Sequence, residues 1–142
     1  MIDLIDKSIL KELSNDSRFS MSELGRRIHL SAPAVKERVK QLEEKGVIET
    51  YTVKINDKCL GYSIQCIIEA TIKNNRYNDF KELIQTYNHV DFCYRIAGDA
   101  CFMLKINFTT FEDAEKTIDE LQPLAHTKTN FIFSEVKTYK NF

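Results

Sequence analysis

The sequence predicts an α+β chain in two parts, three short helices followed by a β-α-β-β-α-β unit. Three observations predict it. Apolar residues recur at helical spacing from Ile5 to Leu42. After Gly46 the period changes to two. From Ser63 onward, alternating and helical runs interleave in the order strand, helix, strand, strand, helix, strand.

The first helix opens on Asp3, a good N-cap, and carries Ile5, Ile9 and Leu13 at spacing four, with Ile2 and Leu10 widening the stripe. It ends near Asn15. The second opens on Ser20, with Glu23 three residues later, the pattern of a capping box. Met21, Leu24 and Ile28 form its apolar stripe. It stops at His29, one of the few non-glycine residues that tolerate a left-handed turn. Ser31 then caps a third helix, and Pro33 fits its first turn, where no N–H bond is lost. Val35, Val39 and Leu42 mark the buried side of that helix, and Gly46 closes it.

Two helices joined by so tight a turn make a helix-turn-helix. The outer face of the third helix suits a DNA major groove. The residues expected to meet DNA are Ser31, Ala32, Pro33, Ala34, Lys36, Glu37, Arg38, Lys40 and Gln41. Lys36 and Lys40 point outward, while Arg38 lies at the edge of the buried stripe, open to a phosphate or to a bracing role in the fold. Net charge is no guide, with 20 basic residues against 21 acidic ones. Its distribution is: Arg26 to Lys45 holds six basic and three acidic residues, a local excess of three.

Val47, Tyr51, Val53 and Ile55 alternate with polar residues, which predicts a strand and a reduced wing. Asn56 to Tyr62 reads as a linker. The expected organisation is therefore 1–46 for the helix-turn-helix, 47–61 for strand and linker, and 62–142 for a ferredoxin-like domain.

In that domain, Ser63 to Lys73 is the first strand and Tyr77 to Tyr87 a helix. Val90, Phe92, Tyr94 and Ile96 mark the second strand, and Gly98-Asp99 a two-residue hairpin turn. Phe102 to Phe108 is the third strand. Thr110 caps a helix that Pro123 ends, and Phe131 to Tyr139 is the last strand. Helices cover one face of this sheet. Cys66, Ile68, Cys93 and Ala97 are the residues expected on the other, a natural dimerisation surface.

Cys59, Cys66, Cys93 and Cys101 form no C-x-x-C pair, and the three histidines are scattered, so neither a metal nor a cofactor is expected. The cysteines fall in strand-like runs, which favours buried thiols. No signal peptide or long apolar run is visible, and the expected location is the cytoplasm, on the nucleoid. No nucleophile stands beside a base, and no phosphate loop is present, so no enzyme is expected. The competing reading is a small-molecule-binding ferredoxin-like protein without a DNA role.

The run ending in LSAPAVKERVKQLEEKGVIETYT, with FCYRIAGDACFMLKI in the second half, resembles the Lrp/AsnC (feast/famine) family over nearly the whole chain. The resemblance implies a DNA-binding regulator of transcription that bends or wraps DNA. It implies dimers through the sheet, assembling into tetramers of dimers, and an amino acid as effector. It places the effector site at Gly98, Asp99, Ala100 and Cys101, with weaker support for Thr127 and Thr129. The family pattern there is a glycine followed three residues later by an aspartate, and Cys101 stands in the aspartate's place. A neutral thiol cannot pair the ammonium of an amino acid.

Overall fold

The structure, a computed structural model, describes residues 1–142 and divides the chain into two units. The first is Met1–Lys54 with Lys137–Phe142, and the second is Ile55–Val136. The expected boundaries at 46 and 61 are thereby redrawn. The wing segment belongs with the helices, the linker with the sheet, and the last six residues with the first unit.

In the first unit, α1 spans Leu4–Asn15, α2 Met21–Ile28 and α3 Ala32–Glu44. Ile9, Leu13, Leu24, Val35, Val39 and Leu42 form their shared core. The stripe of α1 holds at Ile9 and Leu13, with Ile2 and Leu10 packed against the same core, and departs from the expected one only in the first turn. Asp6 is buried, and Ile5 faces solvent. The reason is a capping box at Asp3, whose Oδ1 accepts from the Asp6 N–H at 2.8 Å while Asp6 Oδ2 accepts from the Asp3 N–H at 3.2 Å. At α2 only half of the expected box forms. Ser20 accepts from the Glu23 N–H at 3.1 Å, but the Glu23 carboxylate turns to Arg26 and Arg27 instead of the cap.

Val47 to Asn56 is not a strand. It belongs to no ladder, and Val47, Tyr51, Val53 and Ile55 are exposed. Alternation alone does not supply the hydrogen-bonded neighbour that a strand needs. Tyr51 is tethered by its hydroxyl, which donates to Glu43 Oε1 at 2.7 Å.

The second unit begins with a 3-10 turn, Asp57–Leu60, and continues β1 (Ile64–Ile72), α4 (Tyr77–Thr86), β2 (Val90–Arg95), β3 (Phe102–Phe108), α5 (Phe111–Leu121) and β4 (Ala125–Phe131). The antiparallel sheet runs β2-β3-β1-β4, the ferredoxin-like order. The core between sheet and helices includes Ile68, Leu104, Ile106, Phe80, Ala114 and Leu121. The hydroxyl of Tyr87, after α4, donates to Glu120 of α5 at 2.8 Å. The Asn107 amide donates to Asp57 and Asp91, at 3.1 Å each, and so ties the 3-10 turn to the sheet.

Three expectations for this unit are corrected. The last strand is Ala125–Phe131, not Phe131 to Tyr139, and Phe133, Val136 and Tyr139 beyond it are exposed. The turn at Pro123 and Leu124 feeds directly into the strand, because Lys73 N–H donates to Leu124 O and starts the pairing with β1. Cys66, Ile68 and Cys93 pack on the helix side, and Ala97 lies exposed in the β2–β3 loop. The open face instead carries Ile67, Glu69, Phe92, Tyr94, Met103, Lys105, Lys128 and Asn130, which register places side by side. A bulge between Val90 and Phe92 sets the phase of β2, turning Phe92 and Tyr94 outward, where their rings stack at 4.9 Å. Finally, Cys59 sits exposed in the 3-10 turn, whereas Cys66 is fully buried.

Candidate DNA interface

The turn between α2 and α3 is built from three local features. His29 takes φ 60° and ψ 43°, the left-handed conformation its position requires. Its successor, Leu30, donates its N–H to Gly25 O at 2.8 Å. Gly25 is buried against this turn, and a Cβ there would lie 2.4 Å from Leu30 O. Glycine is therefore required at 25 for closeness, not for φ. This functional residue escaped the sequence reading, since a glycine inside a helical run carries no signal of what approaches it. Ser31 then caps α3, its Oγ accepting from Ala34 N–H at 3.4 Å.

The structure places the expected buried stripe of α3, Val35, Val39 and Leu42, in the core. It separates the expected DNA residues into an outward group and Arg38. Pro33, Lys36, Glu37, Lys40 and Gln41 are exposed on the other side, with Ser31 exposed at the cap and Ala32 and Ala34 half-buried. Arg38 is not among the outward residues. Its Nη1 lies 2.8 Å from Asp3 Oδ2 and 2.8 Å from Asp6 Oδ1. This ion pair braces α3 against the start of α1. The Asp6 N–H bond and the Arg38 guanidinium hold the Asp3 carboxyl below its ordinary value, and Asp3 and Asp6 in turn raise Arg38.

Other basic residues of the segment are also engaged. Arg26 pairs with Glu23. Arg27 reaches Glu23 at 3.1 Å and Glu12 at 3.2 Å, and its guanidinium lies over the Phe19 ring. Lys40 pairs loosely with Glu44 at 3.6 Å, on an exposed surface where such pairs are weak. Lys36 makes no ion pair and is exposed. The local excess of positive charge is thus largely internal, and Lys36 is its free part on α3.

The residues expected at an effector site gather at one end of the sheet. The β2–β3 connection is a four-residue loop, closed by Ile96 N–H donating to Cys101 O, and not a two-residue turn. Gly98 has φ 152°, outside the left-handed helical values of primed turns. Cys101 N–H donates to Ala70 O, and Ala70 is paired with Thr127. Thr129 lies two residues further along, opposite Ile68. Asp99 is exposed, and its carbonyl accepts from the Thr71 hydroxyl at 3.3 Å. Ala100 is half-buried in the same loop. The Cys101 thiol is held below its ordinary value by the Ile72 N–H and by the Tyr77 hydroxyl, 3.7 Å away. Arg95, whose guanidinium lies 4.3 Å from the centre of the Tyr77 ring, acts in the same direction.

Comparison with known proteins agrees with this architecture. Residues 2–49 match the winged helix-turn-helix DNA-binding family, and residues 65–142 match the Lrp/AsnC ligand binding domain. The chain is 53% identical to the HTH-type transcriptional regulator LrpC of Bacillus subtilis, over 96% of this chain and 95% of that protein. It is 34% identical to LrpA of the same organism, over 95% of this chain and all of that one. The solved structure of B. subtilis LrpC superposes with a TM-score of 0.95 at 52% identity, covering 98% and 99% of the two chains. A feast or famine regulatory protein from Mycobacterium tuberculosis, solved with L-methionine, gives a TM-score of 0.88 at 26% identity, covering 97% and 96%. With both halves matched in order, the chain belongs to the Lrp/AsnC family of HTH-type transcriptional regulators.

Proposed function

We propose that the protein regulates transcription in the cytoplasm as a homodimer that lays α3 of each copy into the major groove of double-stranded DNA. The observation that carries this is the division of α3. Its inner face is packed and its edge locked by Arg38, which leaves Lys36 and the exposed Lys40 directed outward. Lys36 and Lys40 contact phosphates, while Ser31, Pro33, Ala34, Glu37 and Gln41 approach the bases. The copies join through the open face of the sheet, where the Phe92–Tyr94 stack, Met103 and Ile67 await cover. Further assembly into tetramers of dimers lets DNA bend around the particle. No helix is long and apolar enough to cross a membrane.

Control by an amino acid is weak in this reading. A relative binds L-methionine. Here the loop holds Cys101, whose sulfur is already engaged with Tyr77 and Ile72, and no carboxylate other than the exposed Asp99. The test has two arms. DNA binding across a salt series checks the interface, where removing both Lys36 and Lys40 is expected to lower the salt slope of the dimer by about four, two for each copy. Calorimetry with a panel of amino acids, on the starting protein and on Cys101→Asp, checks the effector. Tight binding by the unmodified protein, abolished in Asp99→Ala, would assign the pairing to Asp99 and overturn the weak-effector reading.

A further inference from the structure

In the first two turns of α3, two polar side chains are exposed on the outer face, Lys36 and Glu37. A carboxylate there is unexpected on electrostatic grounds, because the surface approaches a polyanion. Of the other acids on or against α3, Asp3 and Asp6 pair with Arg38, Glu44 pairs with Lys40, and Glu43, at the far end of the helix, accepts from the Tyr51 hydroxyl. Glu37 has no cation. Its single partner is Gln41, whose Nε2 donates to Glu37 Oε1 at 3.1 Å. That contact orients the carboxylate without cancelling its charge.

An oriented, unneutralised carboxylate facing the groove is repelled by DNA unless it meets a donor. The major groove offers exocyclic amines for this, cytosine N4 and adenine N6. Adenine sets its N7 acceptor beside the amine, which opposes a carboxylate. Cytosine does not. Building on the placement of α3 in the groove, we propose that Glu37 determines sequence specificity by accepting from cytosine N4, with Gln41 as the residue that positions it.

The test is selection of duplexes from a randomised pool by the full-length protein, by Glu37→Gln and by Glu37→Ala. The starting protein is expected to enrich cytosine at one position of each half-site, by roughly five- to a hundredfold over other bases. Glu37→Gln is expected to turn that position to adenine, because Gln reads N6 and N7 together. Glu37→Ala is expected to lose the preference there and to bind random duplex more tightly. Gln41→Ala is expected to broaden the same position with an unchanged salt slope. An identical base preference in all four proteins, with duplex still retained, would refute the role of Glu37 alone. A starting protein that retains no duplex at low salt would refute the placement of α3 as well. Glu37 and Gln41 are exposed, so thermal unfolding of each variant is expected to match the starting protein.

Discussion

The inner edge and the outer face of α3 carry similar side chains and do opposite work. Arg38, at the edge, is consumed by Asp3 and Asp6 of the first helix. Lys36, two residues earlier on the face, has no partner in the chain. A helix turns about 100° per residue, so two steps carry a cation from solvent to the rim of the core. Positive charge in a DNA-binding segment is therefore not one quantity. Some of it holds α3 in place, and some of it stays exposed and unpaired.

Four substitutions can break or sharpen this division. The largest effect is expected from Gly25→Ala, which drives a methyl to 2.4 Å from the Leu30 carbonyl. The turn must open, at a cost of roughly 1–3 kcal/mol, seen as a lower thermal midpoint and weaker DNA binding together. Arg38→Ala comes next. It leaves the buried Asp6 carboxylate without its cation and is expected to cost about 1–2 kcal/mol, since solvent reaching Arg38 limits the loss. Its salt slope on DNA is expected to stay unchanged, and a slope lowered by about one for each copy of the dimer would return Arg38 to the phosphates.

Lys36→Ala is expected to do the reverse, lowering the salt slope by about one for each copy of the dimer while the thermal midpoint holds. The smallest effect concerns pH. The Asp3 carboxyl titrates lower in the folded protein than its ordinary value of 3.8, through the Asp6 N–H and Arg38. Its contribution is present above that ordinary value and is lost as pH falls through the folded one. Asp3→Asn is expected to flatten the acid limb of stability below about pH 4. An acid limb of the same slope in both proteins would assign it to other carboxylates, of which Asp16 and Asp113 are also lowered.

Local chemistry made most of this architecture readable from sequence. The caps at Asp3, Ser20, Ser31 and Thr110 all accept from the expected helix, and His29 adopts the expected left-handed turn. What escaped depends on residues distant in the chain. Arg38 finds partners 32 and 35 residues away, and no periodicity carries that distance. The bulge between Val90 and Phe92 reverses which side of β2 faces outward, so strict alternation along that strand puts Cys93 on the wrong face. The last strand was masked by its own composition. AHTKTNF has little apolar character because it is an edge strand, while the aromatic run beyond it drew attention although those residues face solvent. The candidate DNA face was legible because helical periodicity sorts inward from outward. The β2–β3 connection was legible in place, not in geometry, since its length and the Tyr77–Cys101 contact are tertiary facts.

The ties that spare Lys36, Glu37 and Gln41 from any duty to the core have a consequence for how such regulators diversify. Core, cap, first turn and brace occupy Ser31, Pro33, Val35, Arg38, Val39 and Leu42, and positions 36, 37, 40 and 41 are left almost independent of the fold. With α3 in the groove as proposed, gene duplicates can rewrite their operator preference there while the fold stands still. On the same proposed placement, retargeting this scaffold toward a chosen promoter needs a library of four positions, screened without a parallel screen for folding.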